Sequence, residues 1–361
     1  MTTAPLLPTA ARPHSHHAVR IGDVLFGGAS VPVIAGPCAV EPEYPRHAAA
    51  VAAAGAAVLR GCVHKPRTRP DTFQGLGIEG HPLLDAARAA TSLPVLSEPM
   101  QVEDVETLAP HCDAFLIGAR SMQNTPLLRE VGRGTHPVVL KRGLSATYDE
   151  WLGAAEYVLQ GGNDQLILCE RGIRTFETAT RNTLDVAAVP VLRERTGLPV
   201  IVDPSHAAGR RQWVAPLAMA AVAAGADGLI IECHPEPAAS WSDAAQAISP
   251  DDLRAIVDAV EFLAAAARPA PVTSLSAGRE AIDAVDAAIA RLLDRRAELV
   301  AATQEHKASP YARDDDREAR IARRVAARAP RLGEQGAHAV MQVIIESCLA
   351  ASAEPEAALA S

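Results

Sequence analysis

The chain has 361 residues, enough for two domains, and its 48% hydrophobic content excludes global disorder. A net charge of −9 argues against a nucleic-acid partner. The longest apolar stretches, such as Leu217 to Ala226, are too short to span a bilayer, so no membrane partner is expected. Residues 1–18 predict a flexible leader that lacks the apolar segment of a signal peptide. The six cysteines form no CxxC pair, which predicts free thiols and a cytoplasmic location.

Residues 19–267 alternate short β-branched runs with longer helical stretches rich in Ala and Leu. Val19–Gly28 predicts a small hairpin that closes the floor of a barrel. The runs predict eight strands, which are Val33–Cys38, Ala57–Val63, Pro94–Glu98, Ala114–Ala119, Val138–Gly143, Leu166–Glu170, Val200–Asp203 and Gly228–Cys233. Eight strands that alternate with helices predict an α/β fold, the (β/α)8 TIM barrel.

The barrel pattern ends with a helix near Asp251–Ala267, and the prolines and serines of residues 268–276 predict a linker. Residues 277–352 predict a small all-α domain. Its three helices are expected over Ala277–Lys307, from about Asp314, and over Glu334–Ser352, followed by a flexible tail at 353–361. Three helices make a thin core, so this domain is expected to dimerise or to dock on the barrel.

Polar residues occur where the predicted strands end, which in a parallel barrel is the face that forms the active site. Four of them are a thiol, an imidazole and two carboxylates: Cys38, His206, Glu232 and Asp243. Each alone could be a buried thiol, a loop histidine or an ion-pair partner. Together they are a sulfur, nitrogen and oxygen set that suits a divalent metal such as Mn, Fe, Co or Zn.

Six cations follow or lie near the same strand ends: Arg60, Lys65, Arg67, Arg120, Lys141 and Arg171. A solvated basic rim is the alternative interpretation. Arg60, Arg120 and Arg171 directly follow apolar strands, which argues against a rim. Cations gathered at one barrel mouth need phosphates or carboxylates to neutralise them, so anionic substrates are predicted.

The barrel region resembles a known enzyme family in several motifs, in order along the chain. The motifs are AGPCAVE, LRGCVHKPRTRPDTFQGLG, IGARSMQN, LKRG, ILCERGIRTFETATRNTLD, VDPSHAAGRR and IIECHP, within about residues 19–252. They resemble the β subgroup of the type I 3-deoxy-D-arabino-heptulosonate 7-phosphate (DAHP) synthases. The resemblance implies the metal-dependent condensation of phosphoenolpyruvate with erythrose 4-phosphate.

The resemblance also implies roles for individual residues. It implies metal ligation by the four donors above and phosphoenolpyruvate binding by Arg60, Lys65, Arg120, Lys141 and Arg171. It places the phosphate of erythrose 4-phosphate on Arg67 and Thr68. Lys65 is interpreted as a proton donor to the new hydroxyl oxygen, and Glu98 as the group that orients or deprotonates the attacking water.

The substrate prediction has an alternative, because the barrel also resembles the Kdo8P synthases, which use a five-carbon aldose phosphate. The KPRT tetrad at residues 65–68 favours the DAHP branch. Arg69 and Asp71 depart from the Ser and Tyr that usually follow this tetrad, and Ala244 follows Asp243 where the family commonly has Gly.

The helical region is similar to the all-α chorismate mutases, over about residues 277–352. The similarity implies that Arg279, Arg296 and Arg317 bind or support the substrate carboxylates, that Lys307 contacts the ether oxygen of chorismate, and that Glu318 contacts its hydroxyl. Arg279 and Arg296 are seventeen residues apart, roughly 26 Å along one helix. One of them must therefore come from a partner chain, which predicts an intertwined homodimer or a larger homo-oligomer.

Two residues in the last helix depart from the mutase pattern. Ser352 stands where a Gln or Glu usually faces the ether oxygen, and Cys348 stands where a Ser is common. The sequence therefore predicts a bifunctional shikimate-pathway enzyme with DAHP synthase and chorismate mutase activities. Two alternatives stay open for the helical domain: an allosteric sensor of chorismate or prephenate, and a plain dimerisation bundle.

Overall fold

The computed structural model describes residues 17–67, 69–268, 274–304, 306–307 and 313–353. The predictions made for residues 1–16, for Thr68, for 269–273 and for 354–361 lie outside the described residues. The chain divides into two compact units, Met1–Ala281 and Ile282–Ser361. Among the residues that the structure describes, no helix is long and apolar enough to cross a membrane.

The first unit is a closed barrel of eight parallel strands, as the sequence predicts. Its strands run around the barrel in chain order and the last pairs with the first. They are β3 (Val33–Gly36), β4 (Val58–Arg60), β5 (Val95–Ser97), β6 (Ala114–Ile117), β7 (Val138–Lys141), β8 (Leu166–Glu170), β9 (Val200–Val202) and β10 (Gly228–Glu232). A separate antiparallel hairpin precedes them, formed by β1 (Val19–Ile21) and β2 (Val24–Phe26).

Helices cover the outside of the barrel. They are α1 (Tyr44–Ala53), α2 (His81–Thr91), α3 (Val102–Leu108), α4 (Thr125–Arg133), α5 (Tyr148–Gln160), α6 (Ala188–Thr196), α8 (Val214–Ala223) and α9 (Pro250–Ala267), whereas the short helix α7 (Pro204–Ala208) is buried directly after β9. Local signals fix where some of them begin. Thr147 and Glu150 form a reciprocal capping box at the start of α5, and Ser249 and Asp252 form another at the start of α9.

The core has two layers. Outward-facing strand residues pack against the helices, and inward-facing residues such as Ile34, Leu96 and Ile230 fill the barrel. The hairpin side chains Val19, Ile21 and Phe26 join this inner layer. Because Phe26 packs against Gly228, the first residue of β10, the hairpin closes the amino-terminal end of the barrel, as predicted.

Several strands are shorter than the sequence predicts. Strand β3 ends at Gly36 and β9 at Val202, so Cys38 and Asp203 lie in the connections that follow. Gly36 has a φ of +150°, and a Cβ there would lie 2.3 Å from the backbone oxygen of Arg60. Only glycine permits this close approach of β3 to β4. Both strands therefore end before Cys38 and Asp203, which lie at the barrel mouth.

The second unit is helical. It comprises most of α10 (Leu275–Gln304), together with α11 (Asp315–Arg328) and α12 (Gly333–Ala353). Helix α10 begins and ends two or three residues before the predicted positions, within the usual variation of helix ends. Few side chains are buried here, among them Ala322, Ala337, Ile345 and Cys348. The core of this unit is thin, as the sequence indicates.

Candidate active site

The thiol, imidazole and carboxylate side chains lie at the ends of three strands or in the segments that follow them. Cys38 follows β3, His206 lies on the short helix α7 directly after β9, and Glu232 is the last residue of β10. Asp243 lies in the loop between β10 and α9, with an unusual φ of +54°. Elements separated widely in sequence thus meet at one end of the barrel.

These four side chains converge. Their potential ligand atoms all lie within 4.8 Å of one another, and Cys38 Sγ is 3.8 Å from His206 Nε2. Tetrahedral metal ligands at 2.0–2.3 Å from the ion are separated by roughly 3.3–3.8 Å, so small side-chain shifts would suffice to hold one cation. The donor types and their spacing fit a divalent transition metal.

Asp203 orients the imidazole. Its Oδ2 lies 2.8 Å from His206 Nδ1 and accepts a hydrogen bond from Lys141 Nζ at 2.5 Å. Burial lowers the pKa of His206, so the ring is neutral near pH 7. A carboxylate beside Nδ1 favours the proton on that nitrogen and leaves the Nε2 lone pair facing Cys38.

Glu232 is fully buried, and burial raises its pKa to about 7 although Arg60 opposes the shift. Its Oε2 lies 3.6 Å from Arg60 Nη2 and accepts a hydrogen bond from Gln246 Nε2 at 2.7 Å. Among the described residues, Oε1 has no hydrogen-bond partner. Glu232 belongs to the converging group, and its buried Oε1 is available to a ligand.

Lys65 links two of the donors, because its ammonium contacts Cys38 Sγ and donates to Asp243 Oδ2 at 2.8 Å. Burial alone would raise the pKa of Asp243, yet Lys65 and Arg181 lower it, so it is ionised. Burial raises the pKa of the Cys38 thiol. The site therefore combines a buried thiol with carboxylates that cations already surround.

A cavity of about 400 Å³ opens above these donors. Nine cations are among the residues that line it, and they are Arg60, Lys65, Arg67, Arg69, Arg120, Lys141, Arg171, Arg174 and Arg181. Such a concentration of positive charge favours polyanionic ligands that carry phosphate or carboxylate groups. Arg69 holds Asp71 through two hydrogen bonds of 3.1 Å at the outer edge.

Glu98 is the buried acid of this cavity. Burial raises its pKa, although Lys141, Lys65 and Arg60 act in the opposite direction. Within the described part of the chain its Oε1 accepts no hydrogen bond. Gly118 lies against it, and a Cβ at that position would fall 2.0 Å from Oε1. Only a residue without a side chain at position 118 leaves room for Glu98 beside the cations.

The structure brings together every barrel residue predicted for the site that it describes. Thr68 lies outside the described residues. Sequence reasoning missed Arg174, Arg181, Asp203 and Gln246 as members of the site. Arg174 and Arg181 lie in the motif ILCERGIRTFETATRNTLD, so their position near a strand end was a signal. Asp203 and Gln246 bind Lys141 and Arg181, which are 62 and 65 residues away along the chain.

The helical unit has its own cavity, of about 470 Å³. Arg296, Lys307, Arg317 and Glu318 line it together. Arg279 lies seventeen residues before Arg296 on α10 and is exposed, outside this lining.

A cation that the sequence analysis did not single out lies in the same cavity. Arg313 donates to both carboxylate oxygens of Glu318, at 3.1 and 2.6 Å, and to Glu346 at 3.0 Å. Helix α12 contributes Ile345 and Leu349 to the lining, while Ser352 Oγ donates to the Leu349 carbonyl of its own helix at 2.8 Å. Glu318 therefore faces the cavity as part of an ion pair.

Known proteins resemble both units. The model of the DAHP synthetase I family matches residues 11–266, and that of chorismate mutase type II matches 278–352. A Thermotoga maritima protein named phospho-2-dehydro-3-deoxyheptonate aldolase is 45% identical over 248 residues, 68% of this chain and 73% of the relative. A Syntrophotalea carbinolica protein named 2-dehydro-3-deoxyphosphooctonate aldolase is 34% identical over 65% of this chain and 92% of the relative.

Solved structures agree. The crystal structure of the Thermotoga maritima DAHP synthase has a TM-score of 0.66 at 44% identity and covers 69% of this chain and 73% of that one. A truncated form of the Thermotoga maritima enzyme has a TM-score of 0.62 at 40% identity and covers 69% and 92%.

The fold and the cavity define a (β/α)8-barrel enzyme for anionic substrates, joined to a helical domain. The chain belongs to the DAHP synthetase I family and carries a chorismate mutase type II domain after the barrel. The combination is that of a bifunctional shikimate-pathway enzyme, with a transferase domain and an isomerase domain. The family is dependent on a divalent metal.

Proposed function

We propose that the barrel condenses phosphoenolpyruvate with D-erythrose 4-phosphate to DAHP and phosphate, and that the helical domain rearranges chorismate to prephenate. One observation supports the first reaction above all others. A four-donor cluster fits a divalent cation, and three of its members, Cys38, His206 and Asp243, line a cavity together with nine cations, which matches two phosphorylated substrates. Mixing full-length protein with both substrates, with and without EDTA, tests the proposal through phosphate release.

Cys38, His206, Glu232 and Asp243 would hold the metal, which we propose to be Mn, Fe, Co or Zn. When bound, it would supply Lewis-acid polarisation of the aldehyde of the aldose phosphate. His206 is held by Asp203 with its Nε2 facing the other donors, and Gln246 holds Glu232. These neighbours keep His206 and Glu232 preoriented.

The cations of the cavity position the substrates. We assign the phosphate and carboxylate of phosphoenolpyruvate to Arg60, Lys65, Arg120, Lys141 and Arg171, and the phosphate of erythrose 4-phosphate to Arg67 with Thr68. Bidentate Arg contacts would fix the enol carbon of phosphoenolpyruvate against the aldehyde carbon. Binding of both anions offsets the repulsion among the cations.

Carbon–carbon bond formation joins C3 of phosphoenolpyruvate to the aldehyde carbon. The new hydroxyl oxygen receives a proton, for which Lys65 is the proposed donor. Water then adds at C2 and loses its proton to Glu98, and phosphate leaves as the C2–O bond breaks. A buried carboxylate with a raised pKa is a stronger base than an exposed one, which suits Glu98 to this step.

A five-carbon aldose phosphate is the second candidate substrate in place of erythrose 4-phosphate. Relatives named 2-dehydro-3-deoxyphosphooctonate aldolase match this barrel over most of their length, which favours it. Assaying arabinose 5-phosphate against erythrose 4-phosphate separates the two, and a strong arabinose preference would overturn our assignment.

For the helical domain, Arg296 and Arg317 would hold substrate carboxylates, Lys307 the ether oxygen and Glu318 the hydroxyl of chorismate. Cations placed around the breaking C–O bond would stabilise its partial negative charge. The ion pair of Glu318 with Arg313, and Ser352 bonded to its own helix, favour a second candidate, an allosteric sensor of chorismate or prephenate. Prephenate formation by full-length protein decides, since binding without turnover supports the sensor.

We also propose a homodimer or larger homo-oligomer in which the partner supplies Arg279 to the mutase cavity. The supporting observation is an exposed apolar stripe on α10. The stripe consists of Ile282, Val285, Ile289, Leu292 and Leu299. The six cysteines are free thiols, which agrees with our proposal of a cytoplasmic location.

A further inference from the structure

A second buried group of polar side chains lies beside the four donors. Glu41, His47 and His234 are each less than one tenth exposed, and their potential ligand atoms lie within 4.8 Å of one another. Glu41 lies between β3 and α1, shortly after Cys38, and His234 lies two residues after Glu232. The group therefore borders the two segments that supply these donors.

The hydrogen bonds of this group fix its protonation. Nδ1 of His234 accepts a hydrogen bond from the backbone N–H of Glu236 at 2.9 Å, so its ring proton lies on Nε2. That nitrogen lies 3.2 Å from Glu41 Oε2 and donates to it. An Nε2 that carries a proton has no lone pair for a metal, which argues against a second metal site.

Glu41 consequently receives two donors, one on each oxygen. Its Oε1 accepts a hydrogen bond from the backbone N–H of Trp241 at 2.9 Å. Burial would raise the pKa of Glu41, but the bonds from His234 and Trp241 lower it, so the carboxylate is ionised and offers acceptors only. Glu41 thus ties both ends of the segment 234–241 to the connection after β3.

Trp241 connects Glu41 to two parts of the catalytic site, which are Asp243 and the segment 65–74. It lies two residues before Asp243, whose φ of +54° is costly for a residue other than glycine and needs support from its surroundings. Its indole ring packs edge-on against Phe73, with 5.0 Å between ring centroids. Phe73 belongs to the segment 65–74, which contains Arg67. The backbone N–H of Lys65 donates a hydrogen bond to the Gln74 carbonyl at 2.8 Å and so closes this segment.

We infer that Glu41 is a positioning residue, which sets Asp243 among the metal donors and, through Trp241 and Phe73, sets the segment that takes the aldose phosphate. The inference rests on the proposed function, in which Asp243 is a ligand and Arg67 binds the substrate phosphate. Glu41 contacts neither metal nor substrate in this scheme and acts through Trp241.

The variant Glu41→Gln tests this role. Both partners are donors, and an amide presents one acceptor and one donor, so one of the two hydrogen bonds must be lost in either orientation. We expect the Kd for Co²⁺, measured by chelator competition on full-length protein, to rise about 10- to 100-fold, as for other residues that orient metal ligands. The KM for erythrose 4-phosphate should rise as well.

Glu43→Gln is the matched control, since Glu43 is exposed on the same connection and pairs with Arg46 at 3.0 Å. It should match the wild type in Co²⁺ affinity and in both KM values. A second variant, Trp241→Ala, keeps the backbone bond to Glu41 and removes the ring contact with Phe73. It should raise the KM for erythrose 4-phosphate and leave Co²⁺ affinity unchanged.

The outcomes separate the two proposals. If the wild type binds Co²⁺ and Glu41→Gln binds it equally well with an unchanged KM, the positioning role is wrong while the proposed function stands. If the wild type binds no Co²⁺, the proposed function fails first. Two Co²⁺ ions per wild-type chain and one in Glu41→Gln, with the remaining affinity unchanged, would make Glu41 a metal ligand and overturn the inference.

Discussion

At the scale of single residues, the barrel mouth is organised by pairs that control charge. Asp203 lies between Lys141 and His206, and Gln246 lies between Glu232 and Arg181. His206 Nε2 is left facing Cys38 Sγ, and Glu232 Oε1 is left without a hydrogen-bond partner among the described residues. Electrostatic orientation of this kind keeps a site in place before its ligands arrive.

Glu98 should set the acidic limb of the synthase pH profile. A general base acts only when deprotonated, so kcat should fall as pH decreases through its raised pKa. Glu98→Gln should lower kcat about 10²- to 10⁴-fold and abolish this limb, with KM values little changed. Initial rates of phosphate release from pH 5 to pH 9 provide the measurement.

Glu106→Gln is the control for Glu98→Gln, because Glu106 is exposed on the neighbouring helix α3. It should reproduce the wild-type profile. A Glu98→Gln enzyme with wild-type kcat and an unchanged acidic limb would exclude Glu98 as the base.

At the scale of elements, hydrophobic periodicity was sufficient to predict all eight barrel strands and the hairpin below them. The strand ends could be located to within three residues, because buried parallel strands are continuous apolar runs that stop at polar residues. The networks around them could not be predicted. Lys141 and Asp203 are 62 residues apart, and Glu41 and Trp241 are 200 apart, so only the closed barrel brings each pair together.

The hairpin formed by β1 and β2 should contribute directly to barrel stability. Phe26 is fully buried at the barrel floor, so Phe26→Ala should lower the free energy of unfolding by about 3–5 kcal/mol. Urea unfolding followed by circular dichroism measures the change. Leu25→Ala, at the adjacent and partly exposed position, should cost clearly less, and equal losses would contradict the role of Phe26 as the plug.

At the scale of the whole molecule, the exposed stripe on α10 is the feature that a single chain leaves unexplained. A helix that exposes Ile289 and Leu292 on one side has an apolar face without a partner in its own chain, among the described residues. Association through this face would also bring Arg279 of one chain to the mutase cavity of the other.

Leu292→Lys should therefore reduce the oligomer size and lower mutase activity, because it places a charge in the proposed interface. Light scattering during gel filtration gives the mass, and prephenate formation gives the activity. Ala287→Lys is the control, since at 100° per residue it lies on roughly the opposite side of α10. Unchanged mass and mutase activity in Leu292→Lys would rule out an interface at this stripe.

The proposed synthase reaction depends most on a single divalent cation held by four side chains at the barrel mouth. The optical spectrum of the full-length protein with Co²⁺ tests this most directly, because a thiolate ligand gives a sulfur-to-cobalt charge-transfer band in the near ultraviolet. We expect one Co²⁺ per chain with this band, and loss of the band in Cys38→Ser. A wild-type protein that binds Co²⁺ without the band, or a Cys38→Ser variant with the same spectrum and affinity, would contradict the account.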